Sequence, residues 1–247
     1  MAEDRYDGEI ASGARGARAR LVQEWLCLHG HNVAVDGKFG PASAAAVREF
    51  QRARELRPTG VVNERTFDAL VAPLREATRT LTPQPGATLG HMVVAYAEQH
   101  LSQHPREVGG QNMGPWVRLY MDGHQGAAWP WCAGFATYVL RQAAATLGVR
   151  MPVVRSYSCD VLATEAARAA CFCGGAAPDR SSRLTAGSLF LVRRARHDWE
   201  HVGIVTQVDG DVFQTIEGNT NDCGDREGYE VCRRMRGFDR KDFVVIA

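Results

Sequence analysis

Apolar residues in the first third of the chain recur every three or four positions, which is the period of an amphipathic helix. The stretches with this period run from Leu21 to Leu28, from Ala46 to Phe50 and from Phe67 to Val71. Gly30 is placed to end the first helix, and Asn63 is placed to cap the start of the third. The pattern predicts three short helices around one small core, spanning residues 17–75.

The last third of the chain carries short runs of β-branched and aromatic residues between Gly and Asp turns, which are typical of strands. These runs are 189–192, 202–208, 212–216, 229–232 and 243–246. Helical periodicity precedes them, beginning near His91 and again at Cys132. Helices followed by consecutive strands predict an α+β fold in which helices pack on an antiparallel sheet.

Two segments show neither period. Residues 1–16 are rich in Gly, Ala, Arg and acidic side chains, and we predict a flexible N-terminus there. Residues 76–87 combine Thr and Arg with Pro83 and Pro85, a composition typical of a linker. The chain is therefore predicted to hold two domains, at 17–75 and 88–247.

Charge and hydropathy exclude several classes of function. The 247 residues carry a formal net charge of +1 without a basic stripe, which argues against nucleic acid as a partner. The acidic N-terminus lacks the apolar core of a secretory signal, and no run approaches the roughly 18 apolar residues of a membrane span. We expect a monomer that is made in the cytoplasm, does not insert into membranes and needs release or delivery to act outside.

Cys132 has the clearest chemical placement among the seven cysteines. It opens the predicted helix after Pro130, and a thiol in a first helical turn meets unpaired N–H groups and the positive end of the helix dipole. Both favour the thiolate, although a small core residue is the alternative interpretation. The odd cysteine count and the Cys171-Phe172-Cys173 spacing fit neither a disulfide framework nor a zinc site. No metal and no cofactor are predicted.

A nucleophilic cysteine needs a base and a third group that orients the base. His201 opens one predicted strand, and the next strand ends in Glu217-Gly218-Asn219. Because side chains alternate along a strand, Glu217 and Asn219 point to the same face, where one of them can hold the His201 ring. Cys132, His201 and this Glu-x-Asn pair are the predicted catalytic residues.

Three tryptophans lie near Cys132 in the sequence, after a Gly-rich loop at residues 108–115. Long loops in a compact domain are often functional. The flat apolar faces of Trp116, Trp129 and Trp131 can line a groove for a sugar or a peptide. Core packing is the alternative interpretation of Trp116 and Trp129.

Three motifs mark the N-terminal domain. They are Asp36-Gly37-Lys38-Phe39-Gly40-Pro41, Ala46-Val47-Arg48-Glu49-Phe50-Gln51 and, after Gly60, Thr66-Phe67-Asp68-Ala69-Leu70. Over roughly residues 16–74 they resemble the three-helix peptidoglycan-binding domain. The resemblance implies that this domain binds cell-wall glycan or stem peptide, with Asp36, Phe39 and Gly40 as binding residues. A packing or protein-interaction bundle without such a ligand is the alternative.

The predicted catalytic residues lie in three further motifs. They are Trp131-Cys132-Ala133, His201-Val202-Gly203-Ile204-Val205 and Glu217-Gly218-Asn219-Thr220. Over roughly residues 88–247 they resemble the papain-like CHAP class of cysteine amidohydrolases and peptidases. The resemblance implies Cys132 as nucleophile and His201 as general base, with Glu217 and Asn219 as orienting and polar partners. The insertion Asp198-Trp199-Glu200 adds acidic charge beside His201, from which we expect a raised histidine pKa.

Together the two resemblances imply a peptidoglycan hydrolase. The implied mechanism is attack of the thiolate on an amide carbonyl, with backbone N–H groups holding the oxyanion and His201 protonating the leaving amine. The bond is either the N-acetylmuramoyl-L-alanine amide or a stem or cross-bridge peptide bond. The protein is either a phage-type lysin or a delivered antibacterial effector, for which a delivery machine or an immunity protein is a further partner.

Two other functions fit the sequence less well. A non-catalytic wall-binding or particle-associated structural protein is disfavoured by the intact Cys, His and Glu-x-Asn set. An enzyme for an amide outside the cell wall is disfavoured by the attached wall-binding domain.

Overall fold

The computed structural model describes residues 3–177, 180–221 and 227–246. The helices of its N-terminal part are α1 (Ala17–Leu28), α2 (Pro41–Ala53) and α3 (Glu64–Thr78). Asn63 caps α3 as predicted, because its side chain accepts a hydrogen bond from Thr66 N at 3.0 Å. The predicted three-helix unit is confirmed.

The segment before α1 packs against these helices. Ile10 is buried and exchanges backbone hydrogen bonds with Val62, while Arg15 pairs with Lys38 in an isolated bridge. The sequence predicts a flexible N-terminus at residues 1–16, but its described part is held in place. The physical reason is that Ile10 supplies an apolar side chain to the core of the helical domain.

The C-terminal part is an α+β fold, as predicted. Its described helices are α4 (Leu89–Leu101), α5 (Pro115–Tyr120), α6 (Cys132–Leu147), α7 (Cys159–Arg168) and α8 (Arg180–Arg183). The described strands are β1 (Phe172–Cys173), β2 (Leu189–Ala195), β3 (Asp198–Asp209), β4 (Val212–Thr220), β5 (Glu230–Gly237) and β6 (Lys241–Val244). They form one six-stranded antiparallel sheet in the order β1-β6-β2-β3-β4-β5. None of the described helices has the length and hydropathy needed to cross a membrane.

Every predicted strand overlaps one strand of this sheet, from β2 to β6. The two-residue β1 is too short to show a period, so the sequence does not reveal it. Helix α6 packs against β3 and β4, and α7 packs against β3. Both helices therefore pack on β3, the strand that carries His201.

The segment predicted as a linker, 76–87, also makes fixed contacts. Helix α3 continues into it as far as Thr78, and Ala77 is fully buried. Gln99 of α4 donates hydrogen bonds through Nε2 to the carbonyls of Ala77 at 3.0 Å and Arg79 at 2.9 Å. The connection between the two domains is thereby bound to the second domain.

The domains also share a direct contact between α1 and α5. Trp25 and Trp116 pack edge to face, with their ring centroids 5.8 Å apart. Beside them Arg118 Nη2 lies 2.7 Å from a carboxylate oxygen of Glu24 and 2.7 Å from one of Glu3. This apolar contact and the partly buried ion pairs next to it hold the N-terminal domain on the C-terminal domain.

Helix α6 approaches the sheet closely at Gly218. A Cβ at this position would lie 2.7 Å from Phe135 Cβ and 2.8 Å from the ring of Trp131. Because no side chain fits there, glycine lets β4 approach the first turn of α6. This approach brings the strand that carries Glu217 close to Cys132.

We expect the substitution Gly218→Ala to lower the free energy of unfolding by about 1–3 kcal/mol, because the added methyl group overlaps two packed aromatic side chains. Denaturant unfolding of the full chain measures the loss. The matched control is Gly237→Ala, since Gly237 lies in β5 and a Cβ there meets no atom within 4 Å. Equal stabilities of the two variants would contradict the packing argument.

Candidate active site

Cys132 is the first residue of α6, as the sequence predicts. The helix begins after Trp131, whose carbonyl accepts a hydrogen bond from Phe135 N at 2.8 Å. The Cys132 N–H is one of the N-terminal helix donors that have no intrahelical partner. The residue is 4% exposed. Helix α6 thus presents a nearly buried thiol and a backbone donor at one point.

His201 lies in β3 and is bound at one ring nitrogen by a carboxylate. Its Nε2 is 2.8 Å from Glu217 Oε2. The other ring nitrogen, Nδ1, is buried and makes no hydrogen bond of normal geometry within the described residues. Since Glu217 occupies Nε2, Nδ1 is the nitrogen available to the Cys132 thiol.

Glu217 is a fully buried carboxylate near the end of β4. Arg236 of β5 donates to it through Nε at 2.8 Å and through Nη2 at 2.6 Å, and Thr215 Oγ1 donates at 2.5 Å. Burial raises the pKa of this carboxyl, but the hydrogen bonds from Arg236 and His201 outweigh burial and lower the pKa to about 2. Glu217 is therefore ionised at neutral pH and fixes the His201 ring.

Cys132 and His201 shift each other towards an ion pair. The neighbouring Cys159 and His201 hold the pKa of the Cys132 thiol well below its ordinary value, Cys159 most strongly, although burial opposes this. Burial lowers the pKa of His201, but Cys132 and Glu217 outweigh it and raise that pKa to about 9. Both shifts favour the thiolate–imidazolium pair over the neutral pair.

The direction of the His201 shift agrees with the expectation from the sequence, but its cause differs. The groups that raise the pKa of His201 are Cys132 and Glu217, not the acidic insertion beside the histidine. Asp198 of that insertion accepts a hydrogen bond from Arg194 Nε at 2.8 Å, so its charge is paired elsewhere.

Asn219 lies where β4 becomes irregular. The pairing of β4 with β5 shifts between Glu217 and Thr220, and Asn219 has a left-handed φ of 56°. Such an irregularity breaks the simple alternation on which the same-face prediction for Glu217 and Asn219 depends. Asn219 is buried beside this irregularity, while Glu217 makes the contact with the His201 ring.

Two segments of the chain match known family models. Residues 15–70 match the family model described as "Putative peptidoglycan binding domain", and residues 122–219 match that of the CHAP domain. The chain joins a peptidoglycan-binding domain to a CHAP domain. The CHAP match contains Cys132, His201 and the Glu217 to Asn219 segment.

One curated relative extends the comparison. The zinc D-Ala-D-Ala carboxypeptidase of Streptomyces albus G is 34% identical over 68 residues, which are 26% of this chain and 27% of the relative. The chain therefore spans about a quarter of that relative's length. Across residues 3–177, 180–221 and 227–246, no three His, Cys, Asp or Glu side chains are grouped so as to hold a metal ion. The domain matches and this partial similarity support a cell-wall hydrolase.

Two of the three tryptophans predicted for a substrate groove belong to the core of the protein. Trp116 and Trp131 are 1% and 0% exposed. The Trp131 ring stacks on Tyr120 with centroids 5.5 Å apart, and its Nε1 donates to Glu107 at 2.9 Å. The groove prediction is corrected for these two residues because their rings are enclosed by protein atoms.

Trp129, the third of them, borders an open cleft of about 420 Å³. The cleft is also lined by Pro130, Tyr157 and Ser158, which adjoin the starts of α6 and α7. His124 stacks on the Trp129 ring at 4.2 Å between centroids and holds it in place. This cleft offers an aromatic wall for a sugar or a peptide near the start of α6, although Cys132 itself does not line it.

The predicted ligand residues of the peptidoglycan-binding domain have different surroundings. Asp36 is exposed, and its Oδ1 accepts hydrogen bonds from Lys38 N at 2.8 Å and Gln23 Nε2 at 2.9 Å. Gly40 is half-buried at the N-cap of α2. Phe39 is 1% exposed and belongs to the core, so its prediction as a ligand contact is corrected.

Gln23 is a residue that the sequence reading missed. It is buried on α1, where its Oε1 accepts from Gly37 N at 2.8 Å and its Nε2 donates to Lys38 O at 3.1 Å. These bonds fix the loop that holds Asp36. The signal was present, because Gln23 follows Ala19 by four positions and precedes Leu26 by three, and therefore lies on the apolar face.

The pKa shifts at the site predict how Cys132 reacts with iodoacetamide. We expect alkylation faster than that of glutathione below about pH 7, because the thiolate persists there. The replacement His201→Ala should move the rate profile towards alkaline pH, since it removes a group that lowers the cysteine pKa. Mass spectrometry of the Cys132 peptide measures both rates. A wild-type rate that rises only above about pH 8, as for an ordinary thiol, would rule out the ion pair.

Proposed function

We propose that this chain is a peptidoglycan hydrolase that cuts an amide bond of the cell wall, with Cys132 as its nucleophile. The main support is a group of three neighbouring buried side chains, those of Cys132, His201 and Glu217. They occur in a chain that also contains a peptidoglycan-binding domain. The carboxypeptidase that matches part of this chain is named for D-Ala-D-Ala, which supports a peptide of the wall as the substrate class.

The first half of the proposed reaction forms an acyl enzyme. The Cys132 thiolate attacks the amide carbonyl, and the carbonyl oxygen gains negative charge. The Cys132 N–H at the start of α6 is placed to donate to that oxygen. His201 then gives its Nδ1 proton to the leaving amine, while Glu217 holds the ring through Nε2.

The second half releases the acyl group. Neutral His201 accepts a proton from a water molecule, and the resulting hydroxide attacks the thioester carbonyl. Collapse of the tetrahedral intermediate breaks the carbon–sulfur bond and restores the thiolate beside the imidazolium. Each group of the site returns to its starting protonation state, so the cycle balances in protons.

The proposed substrate bond belongs to one of two types. One is the amide between N-acetylmuramic acid and L-alanine, and the other is a peptide bond of the stem or cross-bridge. The Trp129 cleft has an aromatic wall that suits either a sugar face or a peptide. The proposed role is that of a phage-type lysin or of an effector delivered into competing bacteria.

Digestion of purified peptidoglycan by the full chain tests the proposal. We expect soluble fragments with new amino groups and no new reducing sugar ends, because an amide and not a glycosidic bond is cut. Fragment masses then separate lactyl-amide cleavage from peptide-bond cleavage. Sedimentation of the chain with intact walls measures binding by the N-terminal domain independently. Binding without any released fragment would favour a wall-binding structural protein instead.

A further inference from the structure

A second cysteine lies beside Cys132 in space, although the two are far apart in the sequence. Cys159 is the first residue of α7, and its Sγ is 3.9 Å from the Sγ of Cys132. The two residues are 8% and 4% exposed, and the structure holds both as thiols. The proposed reaction steps do not use Cys159 as a reacting group.

The start of α7 is held at this position by two different contacts. The Ser158 side chain caps the helix by accepting from Val161 N at 3.4 Å. Asp160 Oδ1 accepts a hydrogen bond from Trp199 N at 2.7 Å, which ties α7 to β3, the strand of His201. Cys159 is therefore placed beside the nucleophile by the fold itself.

The geometry suits a bond between the two sulfurs. A disulfide has a sulfur–sulfur length of about 2.05 Å, so the sulfurs must approach by about 1.9 Å from their present 3.9 Å. Both cysteines are first residues of their helices, where rotation about χ1 is not confined by a preceding helical turn. Closing the gap requires side-chain rotation together with a shift of the two helix starts.

We propose that Cys159 is a resolving cysteine, which forms a reversible disulfide with Cys132 after a hydroperoxide has oxidised Cys132. The disulfide prevents further oxidation of the nucleophile to its irreversible sulfinic and sulfonic forms. The effect on catalysis rests on the proposed function, whereas formation of the disulfide does not.

The chemistry balances with a hydroperoxide as the oxidant. The Cys132 thiolate attacks the peroxide oxygen, breaks the O–O bond and becomes a sulfenic acid, and the leaving alkoxide or hydroxide takes a proton. The Cys159 sulfur then attacks the Cys132 sulfur and expels hydroxide, which leaves as water with the Cys159 proton. Two thiols lose two electrons to one hydroperoxide, and a dithiol reductant reverses the change.

The two cysteines lie in separate tryptic peptides that each contain one cysteine. Cleavage after Arg118 and Arg141 isolates Cys132, and cleavage after Arg155 and Arg168 isolates Cys159. The full chain is treated with a small excess of hydrogen peroxide, blocked with iodoacetamide and digested without reduction. We expect these two peptides to be joined, with the mass of two hydrogens lost, and to separate after treatment with dithiothreitol.

The matched comparison uses Cys159→Ser, with Cys27→Ser as the control for loss of a remote cysteine. After peroxide, the wild type and Cys27→Ser should regain nearly all of their own starting hydrolysis with dithiothreitol. We expect Cys159→Ser to regain less than about a tenth, because its Cys132 proceeds to sulfinic acid. Circular dichroism checks that each variant is folded.

The peptide map decides the proposal without reference to hydrolysis. The proposal would be overturned if Cys132 of the wild type became sulfinic acid and no joined peptide formed. It would also be overturned if dithiothreitol returned the same fraction of Cys132 to the thiol in the wild type and in Cys159→Ser. A joined peptide in a chain that releases nothing from peptidoglycan would support the resolving cysteine and contradict the proposed function.

Discussion

Replacing Cys132 with alanine is expected to reduce the rate of peptidoglycan hydrolysis by about a thousandfold or more, while wall binding stays unchanged. The loss follows because no other group at the site can form the acyl intermediate from the same position. His201 and Glu217 remain in place, but there is no thiolate for the histidine to stabilise. The rate of soluble fragment release, at equal amounts of wall-bound protein, measures the effect.

Cys27→Ala is the control for this experiment. Cys27 is a half-buried cysteine of α1 in the peptidoglycan-binding domain, where its Sγ donates to Val33 O at 3.2 Å. We expect this variant to keep its hydrolytic rate and to lose little stability. If Cys132→Ala were to release fragments at the rate of Cys27→Ala, the cysteine mechanism would be wrong.

Glu217→Gln is expected to lower the hydrolytic rate by about a hundredfold to ten-thousandfold while the shape of the site is kept. The amide removes the charge that helps to raise the pKa of His201 to about 9, so the histidine pKa should fall. The Gln side chain also offers Nε2 of His201 either a donor or an acceptor, so it no longer fixes one tautomer. Hydrolysis rates and an NMR titration of His201 measure the two effects.

The same variant should be less stable, because Arg236 loses the ionised partner with which it makes two hydrogen bonds. The Glu217 carboxyl has its pKa lowered to about 2, so its stabilising effect is present above the unfolded-state value and is lost as the pH falls towards 2. The difference in unfolding free energy between wild type and Glu217→Gln should therefore shrink in acid.

Glu98→Gln is the control for Glu217→Gln. Glu98 pairs with Arg233 at 2.7 Å on the surface, and an exposed ion pair contributes at most about 1 kcal/mol. We expect it to leave both the hydrolytic rate and the His201 pKa unchanged. A Glu217→Gln variant that behaves like Glu98→Gln would show that Glu217 does not position the histidine.

Most of the helices and strands could be predicted because they have a strong local signal, which the two-residue β1 lacks. Asn63 caps α3 and Cys132 begins α6, as the sequence indicates. The meeting of Cys132, His201 and Glu217 could also be anticipated, because the two polar residues lie on consecutive strands that pair in the sheet. Their catalytic roles stay predictions until the variants are measured.

Other features depend on contacts that no local pattern reveals. Aromatic residues near a nucleophile suit a groove and a core equally, so only the fold separates Trp129 from the buried Trp131. Arg236 was missed because it reaches Glu217 from β5 across the sheet. Cys159 did have a signal, since it follows the helix cap Ser158 as a first helical residue, just as Cys132 begins its own helix. Cys223 follows Asn219 by four positions in the sequence, but it lies outside the described residues.

The contact between Trp25 and Trp116 has a consequence for how the wall is cut. If a flexible linker joined the binding domain to the catalytic domain, the cleft could reach every wall bond within the length of that linker. Here the binding domain and the cleft are parts of one packed body, because the Arg118 ion pairs and the Gln99 hydrogen bonds fix the connection as well. In the proposed enzyme, a wall strand bound to the first domain would therefore meet the cleft at a restricted distance and angle. The proposed enzyme would select bonds by their position along the polymer as well as by their chemistry.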